Sequence, residues 1–348
     1  MENDLSDHQF RAIDPALNAA NKKLVLAYFE DFERASVKDV KAVMRDYMTS
    51  DYSWHGVYPF ETLKGVDAVA ETFWQPFLNA WNHVQRRQDI FIGGESVFGG
   101  NWVNSTGHFL GMFERDWLGM PSTGKMAFLR YCEFHRIEDG KIAETYFHTD
   151  LMSVMNQVGV NPMPPQTGAE FIWPGPRTHD GIVLTGQDAE ESAKTLELIQ
   201  RMGRDLGNHP EIDMAYDKLA ETWHDNMIWY GPSGIGSTLS IDGFKRQHQI
   251  PFRKALYSNR VFNGHKSRFT EGRYGGWVGW PSLKLTVKGG GFMGLLATNT
   301  PIDMRVVDMY RREGDKIAEN WVFIDMPYIL KQQGLDVFER MKEIYRTQ

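Results

Sequence analysis

The chain has 348 residues, 42% of them hydrophobic and 24% charged, the make-up of a soluble globular protein rather than a disordered one and long enough to bury two cores. A formal net charge of −7 offers no clustered positive surface for nucleic-acid phosphates or an anionic membrane, so neither is expected as a partner. The single cysteine, Cys132, rules out an intrachain disulfide, and no apolar run nears the roughly 20 residues that span a bilayer; with no signal-like amino terminus, a cytoplasmic location is expected.

In chain order, "NKKLVLAYFEDFERA" and "VKDVKAVMRDYM" carry apolar residues at helical spacing and are expected to form two opening helices. A short strand around "DYSWHGV" follows, then a helix from about Val66 to Trp81. Four β-rich runs come next, Gln85 to Val97, Trp102 to Phe113, Lys125 to Ile137 and Lys141 to Thr149, separated by "FGG", "GMPSTG" and "EDG" turns. Asp150 suits the N-cap of a last short helix, and Gly159 the left-handed residue after it.

The whole order then repeats. Trp54 aligns with Trp229, and 229 − 54 = 175; the same shift pairs Pro76-Phe77 with Pro251-Phe252, Trp102-Val103 with Trp277-Val278, Arg130 with Arg305, Lys141 to Glu144 with Lys316 to Glu319, and Asp150 with Asp325. No gap is needed. Two homologous domains are therefore expected, 17–160 and 188–338, joined by a Pro- and Gly-rich connector over 161–187 that cannot sustain a helix. Each is an α+β domain whose curved antiparallel sheet must bury one face against helices.

This order of elements, with "GMPSTGK" (Gly119 to Lys125) and "FHRIEDGKIAE" (Phe134 to Glu144) on it, resembles the SnoaL-like polyketide cyclases of the nuclear transport factor 2 superfamily. The second repeat keeps "YRREGDKIAE" but has "GLLATNT" at the turn and is the more diverged copy. The resemblance implies a cone-shaped fold with a pocket between sheet and helices, and an intrachain pseudo-dimer paired through the sheets. Whether the two-domain chain forms a further homo-oligomer stays open. The family's last strand often carries an Asp as the acid/base; here Phe147 and Val322 take that position, so the cyclase chemistry does not transfer directly.

Histidine is unevenly distributed: His55, His83, His108, His135 and His148 are all lost on shifting by 175, and the second repeat has His209, His224, His248 and His265 instead. The first domain is therefore favoured as the active one. Strand alternation groups Tyr131, Glu133 and His135 on one face, opposite Arg130, Cys132 and Phe134. Glu133, whose counterpart Asp308 keeps a carboxylate, is the candidate base, its pKa expected to be raised by desolvation in an apolar cavity. His55 or His135 would serve as acid or orienting group. The expected substrate-lining residues are Tyr52, Trp54, His83, Trp102, Tyr146 and Phe147 in the first domain and Tyr230, Trp277, Asp308 and Trp321 in the second.

No metal and no cofactor are expected: His135 and His148 should face opposite sides of the sheet, and the glycine-rich stretches do not open a helix after a strand. Arg130 and Arg305 lack the Asp two residues on that an epoxide-hydrolase site would need. Two functions remain. One is cofactor-independent proton transfer on a small, largely apolar carbonyl or hydroxylated compound, as isomerisation, dehydration or aldol-type cyclisation or cleavage; the other is non-catalytic small-molecule binding or assembly by the same fold.

Overall fold

The computed structural model describes residues 7–208, 212–256, 258–290 and 292–346; His209 lies outside them. Helix α1 (Pro15–Arg34) starts where the Asp14 carboxylate accepts the Leu17 N–H and proline fills the first position. After α2 (Val40–Tyr47), β1 (Met48–Gly56) turns back as β2 (Glu61–Lys64), a four-residue strand too short to carry a sequence pattern. Helix α3 (Val66–Val69) passes through a π-helical turn (Ala70–Trp74) into α4 (Gln75–Ala80). The main sheet strands are β3 (Trp81–Glu95), β4 (Asn101–Phe113), β5 (Lys125–Glu138) and β6 (Lys141–Thr149), and α5 (Leu151–Gln157) closes the unit, capped by Asp150.

The second unit repeats this plan with α6 (Ala189–Asn208), α7 (Tyr216–Ala220), β7 (Trp223–Tyr230), β8 (Thr238–Leu239), α8 (Ser240–Phe244), a second π-helical turn (Lys245–Gln249) and α9 (Ile250–Leu256). Its strands β9 (Ser258–Phe262), β10 (Ser267–Glu271), β11 (Tyr274–Thr286), β12 (Pro301–Glu313) and β13 (Lys316–Ile324) precede α10 (Met326–Gln332) and α11 (Val337–Arg346). The sheets run β2-β1-β6-β5-β4-β3 and β8-β7-β13-β12-β11-β10. Both are mixed, which corrects the expectation of antiparallel sheets: β1 runs parallel to β6 and β7 parallel to β13, because the chain re-enters the sheet from its helices in the direction of the last strand.

A second correction concerns the repeat. Ser105 stands opposite Glu133 and Trp102 opposite Arg136, whereas Trp277 stands opposite Asp308 and Tyr274 opposite Arg311. On β11 the equivalent residues are therefore 172 apart (277 − 105), not 175, and an irregularity between Gly279 and Leu283 takes up most of the difference. Trp102 and Trp277 match in sequence but not in space.

The outer faces of the two sheets meet across the chain. Trp102, Cys132, Phe134 and Tyr146 from one sheet and Tyr230, Phe269, Met309 and Trp321 from the other form one buried cluster, with Trp173 of the connector inside it. Buried Arg130 donates to the carbonyls of Tyr230 and Val322, each at 2.9 Å. The connector has no helix or strand; Phe91 donates to the Gly181 carbonyl and Val183 to that of Phe91, so it runs beside β3. Among the described residues no helix is long and apolar enough to cross a membrane.

Candidate active site

Alternation on β5 turns Tyr131, Glu133 and His135 toward the helices, and here the first domain is full. Trp54, Phe73, Trp74, Phe109 and Phe147 pack with ring centroids 4.8 to 6.4 Å apart. Into this packing reaches Arg86, its guanidinium 3.7 Å from the Phe29 ring centroid and 4.5 Å from that of Phe109. Arg86 Nη1 donates to Glu133 Oε2 at 2.9 Å, and His135 Nε2 lies 3.1 Å from the same oxygen. Burial pushes the Glu133 carboxyl up, but Arg86 and His135 outweigh it and hold the pKa below the usual carboxylate range. The expectation of a raised pKa at Glu133 is thereby corrected: the residue is an ion-pair partner.

His55 turns to the other face of β1, between Glu144 (2.9 Å) and Thr62 (3.0 Å), stacked on Tyr146 and 5.8 Å from Trp280 of the second domain. Trp102, Tyr146, Tyr230 and Trp321 share that face and are buried between the domains. Tyr52, Trp54 and Phe147 do point inward, but into closed packing. His83 is exposed, on the rim of a recess of about 380 Å³ beside α1, α4 and β3; Arg86 lines this recess and Glu133 does not.

The second domain keeps space against its inner carboxylate. A cavity of about 210 Å³ lies between α6, α8, the π-helical turn, α9 and the inner faces of β7, β11, β12 and β13. Inward alternation on β12 gives it Met304, Val306, Asp308 and Tyr310, and on β13 Asn320, Val322 and Ile324. Trp277 reaches it through the displaced register of β11. Most of the wall is apolar or aromatic, with a few polar groups, which is the make-up of a small-molecule site.

Asp308 is the carboxylate of that wall. Trp277 Nε1 donates to Oδ2 at 3.1 Å and Asn320 Nδ2 to Oδ1 at 3.3 Å, and Tyr310, two residues on, shares its strand face. Among the described residues none forms an ion pair with it. Burial dominates over these hydrogen bonds and raises the carboxyl to about 6. Its accessible surface faces the cavity, so it is enclosed by protein yet open to a ligand.

Two imidazoles flank the cavity. His248, carried by the π-helical turn, stacks on Trp229 at 3.9 Å, and His265 stacks on Trp277 at 4.8 Å. Burial pushes His248 down to about 3 and, with the neighbouring Arg268 charge, His265 well below its usual value, so both are neutral. Among the described residues four buried polar atoms of the lining, Trp223 Nε1, His248 Nδ1, Gln249 Oε1 and Ser282 Oγ, find no hydrogen-bond partner. Among the described residues no three or more His, Cys, Asp or Glu side chains gather as a metal site.

The sequence reading did not place His248, His265, Tyr310 or Asn320 in a pocket. The signal for Tyr310 was available, since it shares the strand face of Asp308.

Residues 25–145, within the first of the two tandem α+β domains, match the model of the SnoaL-like domain family. Solved structures with a likeness to parts of the chain include a protein assigned as a SnoaL-like polyketide cyclase from Jannaschia sp. CCS1, at 20% identity over 44% of this chain and 99% of that one, TM-score 0.35. An NTF2-like protein of unknown function from Burkholderia pseudomallei K96243 matches at 16% over 40% and 97%, TM-score 0.32. An NTF2-like protein from Burkholderia thailandensis E264 matches at 19% over 40% and 96%, TM-score 0.30. No curated protein matches the sequence.

Proposed function

We propose that the chain is a cofactor-independent enzyme of SnoaL-like build whose second domain performs acid/base proton transfer on a small, largely apolar carbonyl or hydroxylated compound. The observation that carries this is Asp308, a carboxyl raised to about 6 on the wall of an apolar cavity. A base with a pKa near working pH is partly ionised and still basic enough to take a proton next to a carbonyl. The cavity volume of about 210 Å³ suits a ligand of one or two small rings. The first domain then serves as scaffold, its inner carboxylate Glu133 taken up by the ion pair with Arg86.

A panel of small cyclic ketones and enones, assayed for isomerisation or α-proton exchange with wild type and Asp308→Asn, tests this. Turnover should fall by about 100-fold in the variant. Turnover indifferent to Asp308 would remove the base. Ligand binding with no turnover would make the pocket a binding site only, a reading favoured by Val322 at the position of the family's acid.

A further inference from the structure

His265 and Asp308 are fastened to the same indole. Trp277 stacks its ring against the imidazole at 4.8 Å with 9° between planes, and its Nε1 donates to Asp308 Oδ2 at 3.1 Å. All three line the cavity. The imidazole is itself fixed from behind: Arg268 brings Nη2 to 3.0 Å and Nε to 3.3 Å from Nδ1. A guanidinium has only donors, so Nδ1 must accept, and an accepting Nδ1 carries no proton. The one ring proton of a neutral imidazole then sits on Nε2. Among the described residues Nε2 has no hydrogen-bond partner, and it is not among the buried orphan atoms, so it keeps accessible surface on a residue that lines the cavity.

The geometry points to His265 as a neutral, tautomer-locked hydrogen-bond donor that holds the oxygen of a ligand carbonyl while Asp308 faces the adjacent carbon. The inference rests on the proton-transfer reading of this pocket and sharpens it to carbonyl substrates. In the step it implies, the Asp308 carboxylate removes the α-proton, the C–H electron pair forms the enolate C=C, and the carbonyl π pair moves onto the oxygen held by Nε2–H. Return of the proton from Asp308 to the same or a conjugated carbon completes an exchange or an isomerisation, with no other reactant. A neutral donor is suited to this, since it remains a donor at pH values where Asp308 is ionised. Protonation of the ring is opposed by burial and by the Arg268 charge beside it.

Two measurements test this on the full chain. With 15N-labelled histidine, long-range NMR correlations of His265 should report the Nε2–H tautomer between about pH 6 and pH 8; an Nδ1–H tautomer or an imidazolium in that range overturns the proposal, whether or not any ligand is known. The second compares 1-indanone with indane, the same rings without the oxygen, by tryptophan fluorescence. Wild type should prefer the ketone by about tenfold, the worth of one good hydrogen bond. His265→Phe, which retains the stack, should lose the preference while binding indane as before, and His265→Gln should restore part of it. A preference that survives in His265→Phe, or no preference in wild type, overturns the carbonyl assignment. A His265-dependent preference without any α-proton exchange would keep it and overturn the proton-transfer reading instead.

Discussion

Glu133 and Asp308 hold equivalent positions on the inner faces of β5 and β12, and their surroundings push the two carboxyls in opposite directions: Glu133 below its usual pKa, Asp308 up to about 6. The difference is the cation. Arg86 enters the first cone and pairs with Glu133 at 2.9 Å; around Asp308 stand an indole, an amide and a phenol. One fold thus contains, at the same strand position, a carboxylate in an ion pair and one that among the described residues has none.

That contrast predicts opposite pH linkages. A carboxyl raised in the folded state contributes stability while protonated and loses it as pH rises through its folded pKa, here about 6. Asp308→Asn should therefore be more stable than wild type by on the order of 2 kcal/mol at pH 8, the gain vanishing below about pH 4. Glu133 contributes stability above its unfolded pKa, lost as pH falls through the lowered folded value. Glu133→Gln leaves Arg86 buried without its partner and should cost about 3–5 kcal/mol at pH 7. Urea unfolding of both variants across pH checks the signs.

The cavity beside Asp308 and the aromatic packing around Glu133 predict where ligands go. Val322→Trp should fill the second cavity and abolish binding of 1-indanone, measured by fluorescence titration. Phe147→Val in the first domain should leave that binding unchanged while costing about 2–4 kcal/mol of stability from the space it opens in the aromatic packing. Loss of binding in Phe147→Val without loss of folding would place the ligand in the wrong domain.

The repeated Asp150 and Asp325 do more than cap helices. Asp150 accepts the N–H of Ser153 within its own helix at 3.1 Å and that of Ser233 across the interface at 2.8 Å. Asp325 does the same with Tyr328 at 3.2 Å and Tyr58 at 3.0 Å, and adds Arg305 at 3.1 Å. Each domain therefore pins a loop of the other. Asp150→Ala and Asp325→Ala should each cost about 2–4 kcal/mol, more than the roughly 1 kcal/mol of a cap alone. Calorimetry of wild type should give one transition, with the two domains melting together.

Much of this was legible in the letters. Helical spacing, turn residues and the shift of 175 predict two α+β units, and alternation on β5 puts Tyr131, Glu133 and His135 on the inner face. The same alternation applied to β1 would have separated His55 from Trp54, which point to opposite faces. What the sequence hides is of two kinds. Compensating shifts in β11 are invisible to a gap-free match, so Trp102 and Trp277 read as equivalents although one lies between the domains and the other touches Asp308. Arg86 is 47 residues from Glu133, on the edge strand of the sheet, and nothing local signals that it turns inward. A pocket is space left over after packing, and histidine count does not measure space.

The central claim is that Asp308 moves the proton, and the most direct measurement is deuterium exchange at C2 of 1-indanone in D2O, followed by NMR with wild type, Asp308→Asn and a folded Glu133 variant. Exchange above the buffer rate in wild type, reduced by about 100-fold in Asp308→Asn and retained with Glu133 altered, is the predicted result. Exchange that persists in Asp308→Asn and disappears with Glu133 would contradict it.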